Sequence, residues 1–174
     1  RRELFDPGDR RYLYPFVSCT ACGPRYTIVE DTPFDRGATS MRDFPLCPAC
    51  RREYEDPANR RFHAQPTACP ECGPRLVLQG PDGREVAGDP ILRAIEALAG
   101  GRVVAVEGVG GFLLAADPAS EAALARLRRD KERERKPLAL MAADLAAVER
   151  LCRVDAASRA ELASPRAPIV ILPA

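Results

Sequence analysis

The sequence predicts a mixed α/β chain, with a cysteine-rich segment of metal-knuckle type followed by a region of alternating strands and helices. Three observations carry this reading. Six of the seven cysteines, nine of the ten aromatics and ten of the seventeen prolines fall in residues 1–75. Residues 1–25 recur without a gap as residues 51–75, with twelve identities. From Asp89 onward, short apolar runs alternate with helical periodicity.

The composition sets outer bounds. The chain has 174 residues, 46% of them apolar and 29% charged, and a formal net charge of +1. Such a length suits one ordinary domain or two very small ones. Near-neutral charge argues against a general polyanion binder, which needs excess basic charge to displace counterions. No run approaches the roughly 18 apolar residues of a membrane span. The opening Arg1-Arg2-Glu3 is not a signal peptide. These features read as a soluble, cytoplasmic-type chain. Residues 1–75 look too poor in aliphatic side chains to fold on a core alone, which places a boundary near 76–89.

The repeat organises the first part. Arg1-Arg2-Glu3 returns as Arg51-Arg52-Glu53, Arg10-Arg11 as Arg60-Arg61, and Cys19-x-x-Cys22-Gly23-Pro24-Arg25 as Cys69-x-x-Cys72-Gly73-Pro74-Arg75. Cys47-Pro48-Ala49-Cys50 precedes the second copy, whereas the first copy opens the chain at Arg1. The period therefore predicts a Cys-x-x-Cys upstream of Arg1, outside this chain. Cys47 and Cys50, eighteen intervening residues, then Cys69 and Cys72 is a four-cysteine zinc spacing. Each pair brings two thiolates to one ion, and two pairs close a tetrahedron around Zn²⁺. Bound metal would supply folding energy that this segment otherwise lacks. The glycines after Cys22 and Cys72 are expected to serve a positive φ in each knuckle.

Other readings compete. Disulfides need an oxidising compartment, which nothing here implies. A redox pair lacks a thioredoxin-like context. Zinc held by Cys19, Cys22, Cys47 and Cys50 is a third possibility, against which the repeat marks 47–72 as the complete unit. On that basis Cys19 and Cys22 form a half site whose partners lie upstream. His63 is expected to be structural, because four cysteines already satisfy the ion. Cys152, in the pattern Leu145, Val148, Leu151, reads as a small core residue.

In the second part, Leu76–Gln79 and Arg84–Val86 flank Gly80-Pro81-Asp82-Gly83 as a hairpin. Asp89 caps a helix with Pro90 at its first position, and Gly100-Gly101 ends it. Val103–Val106 reads as a short buried strand and Phe112–Ala116 as a second. A helix follows from Asp117-Pro118 through Leu124 and Leu127 towards Lys131. Pro137–Met141 reads as a third strand, followed by helices over about 143–152 and 155–163. Ile169–Leu172 reads as a last strand, after which the domain looks unfinished.

Of the 26 basic residues, 24 are arginine; the two lysines, Lys131 and Lys136, share the segment Arg128–Pro137. Lysine is a compact point charge and arginine a planar fork, so two lysines here suggest contact with phosphate oxygens. In extended chain Lys131 and Arg133 would point the same way and converge on one anion. A solvated helix end is the plainer alternative. The glycine turn 108–111 matches neither a P-loop nor a dinucleotide fingerprint.

Cys19-Thr20-Ala21-Cys22-Gly23-Pro24-Arg25-Tyr26-Thr27-Ile28, Pro33-Phe34-Asp35-Arg36 and Arg61-Phe62-His63-Ala64-Gln65-Pro66 resemble the zinc-finger region of the HypF carbamoyltransferases. That family matures [NiFe] hydrogenases. Val106-Glu107-Gly108-Val109-Gly110-Gly111-Phe112 and Lys131-x-Arg133-x-x-Lys136-Pro137-Leu138 resemble the start of its YrdC-like domain. The resemblance implies the second half of a first C4 finger at 1–26, a linker at 27–46 and a second C4 finger at 47–86. Residues 87–174 would then begin a YrdC-like α/β domain with a mixed twisted sheet.

An acylphosphatase-like domain is implied upstream, with the rest of the YrdC-like domain and a carbamoyl-transfer domain downstream. The resemblance further implies that carbamoyl phosphate and ATP, with Mg²⁺, form carbamoyl adenylate and release pyrophosphate. The carbamoyl group then passes to the C-terminal cysteine of the partner HypE and becomes the hydrogenase cyanide ligand. By position, Lys131 and Arg133 would contact the nucleotide phosphates, with Lys136 assisting. No carbamoyl-transfer residue falls in this chain, and the family's later Ser-x-Asn element would lie beyond Ala174. Members often carry histidine where this chain has Leu113. The chain alone is expected to lack complete turnover.

A reading of another class is a zinc-ribbon module that binds RNA or a protein partner without catalysis. YrdC-like proteins are associated with double-stranded RNA. Residues 1–75, however, carry 12 basic and 11 acidic residues and so no net basic patch.

Overall fold

The computed structural model describes residues 2–133 and 136–173. Arg1 of the repeat, Glu134 and Arg135 of the basic segment, and Ala174 lie outside them. The chain divides into two compact units. One comprises the residues up to Ile95 with Glu107–Gly111, the other Glu96–Val106 with the residues from Phe112.

In the first unit the two sequence copies fold alike. Helix α1 (Arg2–Phe5) corresponds in repeat register to the last four residues of α2 (Pro48–Glu55). Each helix leads into the same turn. Asp6 Oδ1 accepts from Gly8 N–H, as Asp56 Oδ1 does from Ala58 N–H, both at 2.9 Å. Leu13 and His63, fifty positions apart, both adopt positive φ, 53° and 48°. The backbone N–H of Leu13 returns to Leu4 C=O and that of His63 to Tyr54 C=O.

The segment expected as a linker is packed instead. Residues Arg36–Ala38 and Ser40–Asp43 form 3-10 turns. Met41 joins Tyr14 and Ala68 in a small core, flanked by Val17, Ile28 and Phe44. Thr39 is fully buried, its hydroxyl donating to Arg36 C=O and accepting from Met41 N–H. The hairpin around residues 80–83 forms as a minimal pair: Gln79 bridges Glu85, and Gly83 has φ 75°.

Helix α3 (Pro90–Ala99) follows the expected rules at both ends. Asp89 Oδ1 accepts the N–H groups of Ile91 and Leu92 at 2.9 Å. Gly101 closes the C-terminus with φ 73°.

Strands β1 (Val104–Gly108) and β2 (Gly111–Ala115) form a two-stranded sheet joined by Val109-Gly110, hence an antiparallel hairpin. The class is mixed α/β, but the wider mixed sheet is not formed among the described residues. Segments 137–141 and 169–172 carry no ladder. Met141 and Ile171 are essentially fully exposed, because a lone extended segment has no neighbour to hydrogen-bond or bury it. β1 is likewise open rather than buried, with Val106 at 50% exposure.

Helix α4 (Glu121–Asp130) starts later than expected, since Asp117 closes a turn on Ala119 N–H and Ser120 takes the cap position. It buries Ala123 and Leu127. Helices α5 (Leu145–Glu149) and α6 (Ala156–Leu162) start at the caps Asp144 and Asp155. Cys152 lies beyond the end of α5 and is only half-buried, with Leu151 exposed, so neither is core.

Candidate metal centre

Four cysteines converge in the first unit. Cys47 precedes α2, with Pro48 at its first helical position, and Cys50 lies in its first turn. Cys69 and Cys72 come from a tight turn in which Gly73 N–H donates to Cys69 C=O at 2.8 Å. The four side chains place their sulfurs within 4.8 Å of one another. Cys47 Sγ and Cys72 Sγ each lie 3.7 Å from Cys69 Sγ.

Sulfurs about 2.3 Å from a common ion in a tetrahedron sit about 3.8 Å apart. The donor set and spacing therefore fit a four-coordinate ion such as zinc. Cys50 is fully buried. Burial pushes its thiol up to about 12, against the hydrogen bond from Arg10. At Cys69 burial also opposes ionisation, but the N–H groups of Cys72 and Glu71 outweigh it and bring the thiol down to about 7. Ionisation is thus uneven, with Cys47 and Cys50 favouring the Cys69 thiolate while Cys72 and Cys69 hold Cys50 protonated, and a divalent cation is what lets all four become thiolates.

The remaining readings of the cysteines resolve. All seven are free thiols. Cys19 and Cys22 are exposed and stand outside the four-sulfur cluster, which removes their pairing with Cys47 and Cys50. They form a pair of their own: hydrogen bonds from the backbone of Cys22 and Ala21 lower the Cys19 thiol, and the Cys19 side chain raises Cys22. His63 is not in the cluster. Its ring packs edge-on against Phe62 at 4.4 Å and tilted against Tyr54 at 5.0 Å.

The knuckle glycines have a different reason from the expected one. Neither Gly23 nor Gly73 has positive φ. What each requires is space. A Cβ at Gly23 would lie 2.3 Å from Cys19 O, and one at Gly73 would lie 2.1 Å from Tyr14 Oη.

Around the cluster is a set of arginines that sequence reasoning did not single out. Glu53 of the second copy binds the arginine pair of the first. Its Oε2 accepts from Arg10 at 2.8 Å and from Arg11 at 2.5 Å. Glu3 of the first copy binds the pair of the second, Arg60 and Arg61, the latter at 2.6 Å. Arg11 is 2% exposed and also donates from Nε to Ala68 C=O at 2.8 Å. Arg36 crosses from the intervening segment and donates to the C=O groups of Gln65, Thr67 and Phe44 at 2.6–2.9 Å. The signal was in the repeat, since Glu3/Glu53 and Arg10-Arg11/Arg60-Arg61 are retained identities that ligate nothing.

The lysine segment has another geometry than the extended one. Lys131 is the C-cap of α4, and Glu132 after it has φ 51°. Arg133 N–H turns back to Arg128 C=O at 2.9 Å. Arg128 Nη1 in turn donates to the C=O groups of Arg133 and Lys136. The alternation argument for Lys131 and Arg133 therefore fails. The backbone between them is a helix C-terminus followed by a left-handed turn.

Among known proteins, the HypF finger family matches residues 1–29 and 46–79, and a Sua5/YciO/YrdC family described as telomere recombination matches 96–174. Carbamoyltransferase HypF2 of Cupriavidus necator is 52% identical over 171 residues, covering 98% of this chain and 21% of that protein. Carbamoyltransferase HypF of Rhodobacter capsulatus is 52% identical over 95% of this chain and 22% of its own. The crystal structure of T. kodakarensis HypF superposes with a TM-score of 0.91 at 52% identity, over 98% of this chain and 23% of that one. Full-length HypF solved in a phosphate- and nucleotide-bound form superposes with a TM-score of 0.86 at 48% identity, over 95% and 22%. The chain thus spans about a fifth of the length of these relatives. Through its finger segment and its Sua5/YrdC-type segment alike, it belongs to the HypF family.

Proposed function

We propose that this chain is the metal-finger and nucleotide-handling portion of a carbamoyltransferase. The observation that carries the reading is identity of about half, sustained across both segments, to proteins named carbamoyltransferase HypF. In this reading Cys47, Cys50, Cys69 and Cys72 hold a structural Zn²⁺ that supplies folding energy rather than chemistry. Cys19 and Cys22 contribute to a second zinc site completed by upstream cysteines. The thiols stay reduced, as in a cytoplasmic protein.

The whole protein hydrolyses carbamoyl phosphate to carbamate and inorganic phosphate, condenses the carbamate with Mg²⁺–ATP to carbamoyl adenylate and pyrophosphate, and passes the carbamoyl group to the C-terminal cysteine of HypE with release of AMP. Lys131, Arg133 and Lys136 contact the nucleotide phosphates and stabilise the departing pyrophosphate. The relative solved in a phosphate- and nucleotide-bound form supports a nucleotide role for the family. An RNA-binding role has no comparable support. Arg10, Arg11, Arg25, Arg36 and Arg61 are all engaged by carboxylates or carbonyls of the chain itself.

The test is carbamoyl-phosphate-dependent exchange of pyrophosphate into ATP by the whole protein. Lys131→Ala is expected to lower it about 100-fold, the scale of removing one charged donor from a developing anion. Unchanged exchange would remove Lys131 from the nucleotide site.

A further inference from the structure

We propose that Arg10 and Arg11 of the first copy are the outer layer of the metal centre of the second, so that retention of its ion depends on the other repeat. The inference rests on the zinc reading above. Arg10 Nη2 lies 3.2 Å from Cys50 Sγ and Arg11 Nη2 lies 3.5 Å from it. Cys50 is the fully buried member of the four, out of reach of solvent donors. Both guanidiniums are held in place by Glu53, one helical turn after Cys50, and Arg11 also by Ala68 C=O next to Cys69.

Charge points the same way. Four thiolates around a divalent cation carry a formal double negative charge, to which Glu53 adds a third. Arg10 and Arg11 supply two positive charges, and Arg36, which interacts electrostatically with Cys72 and Cys50, supplies another. The complement is balanced, yet none of the three arginines comes from residues 47–72. The second finger's own Arg61 lies farther off, 3.9 Å from Glu53, and is bound to Glu3 at 2.6 Å, so the close counter-charge at Cys50 is borrowed. N–H donors to a ligating sulfur orient it and damp its charge, and loss of such partners typically weakens metal binding 10- to 100-fold.

The experiment uses the chain with Cys19→Ser and Cys22→Ser, so that one site reports. Zinc content is measured by elemental analysis, and retention by competition with a chromophoric chelator. The parent is expected to hold roughly one zinc. Arg10→Met, at a partly exposed position, is expected to weaken retention about 10- to 100-fold. Arg60→Met breaks the sister ion pair with Glu3 without touching Cys50, and is expected to leave retention within about threefold of the parent. Arg11→Met should act like Arg10→Met, with circular dichroism of the zinc-loaded form reporting its fold.

Retention unchanged in Arg10→Met, or weakened equally in Arg60→Met, would overturn the proposal, the second result marking a general effect of ion-pair loss. A parent that binds no zinc would overturn the zinc reading and this inference with it.

Discussion

Gly73 offers the sharpest perturbation in the molecule. An alanine there would set its Cβ 2.1 Å from Tyr14 Oη, 2.6 Å from Ala68 Cβ and 3.1 Å from Cys69 O. Tyr14 is 5% exposed, packs with Met41 and Ala68, and donates its hydroxyl to Pro74 C=O at 3.1 Å. To admit the methyl, the ring must retreat by about 1.4 Å to restore ordinary contact. Over-packing of this kind costs about 1–3 kcal/mol. Loss of the hydroxyl's bond adds about 0.5–1.5 kcal/mol. Gly73→Ala is therefore expected to destabilise the first unit by about 2–4 kcal/mol. In urea, with an m-value of about 2 kcal/mol/M, the midpoint should fall by roughly 1–2 M.

Tyr14→Phe in the Gly73→Ala background removes the worst contact and should recover part of the loss, a coupling readable from the double-mutant cycle. Gly23→Ala has no such remedy, because its nearest clash is the backbone oxygen of Cys19. A loss below about 0.5 kcal/mol for Gly73→Ala, or no recovery with Tyr14→Phe, would refute the steric account of the knuckle glycine.

Two further outcomes follow from the metal centre and from the ion pairs. Cys69→Ala removes a ligand adjacent to two others and is expected to reduce zinc at the 47–72 site from roughly one per chain to near zero. A stoichiometrically loaded Cys69→Ala protein would sink the ligand assignment. Glu3 is held at about 2, against an ordinary 4.5, by the hydrogen bond from Arg61 with Arg60 adding to it. Its stabilisation is therefore fully present above pH 4.5 and is lost as pH falls from there towards 2. Relative to Glu3→Gln, the native chain should be more stable by about 1–2 kcal/mol at pH 7, after allowance for solvent around the pair. That margin should shrink on titration below pH 4.5, and a constant margin down to pH 3 would contradict it.

The features that could be read from sequence are those fixed by local chemistry. Asp89 and Pro90 predict the start of α3 because a cap and a proline act within one turn. Cys47, Cys50, Cys69 and Cys72 could be assigned because a tetrahedral ion imposes spacing on its ligands. What escaped prediction depends on partners distant in sequence. Pro137–Met141 and Ile169–Leu172 have strand composition, but composition does not supply the neighbouring strand that a ladder needs. The conformation around Lys131 and Arg133 turns on where α4 ends, and a left-handed Glu132 is not visible in residue type. Gly73 was the right residue for the wrong reason, since the neighbour that crowds it, Tyr14, lies 59 positions earlier. The packed segment 27–46 hid for the same cause: Arg36 binds carbonyls at Gln65 and Thr67, which no local pattern announces.

The crossed ion pairs of Glu3 with Arg60 and Arg61, and of Glu53 with Arg10 and Arg11, obey a rule that belongs to symmetric dimers. One position on the first copy meets another on the second, and the reciprocal contact is made in return. Two identical subunits related by a twofold axis would build the same surface from a single fifty-residue gene segment. In this chain the reciprocal pairing is made inside one polypeptide, between one copy of the sequence repeat and the other. The two copies are thereby coupled: a change at Glu53 is felt first at Arg10 and Arg11, forty-odd residues away, and less at Arg61 of its own repeat, 3.9 Å off.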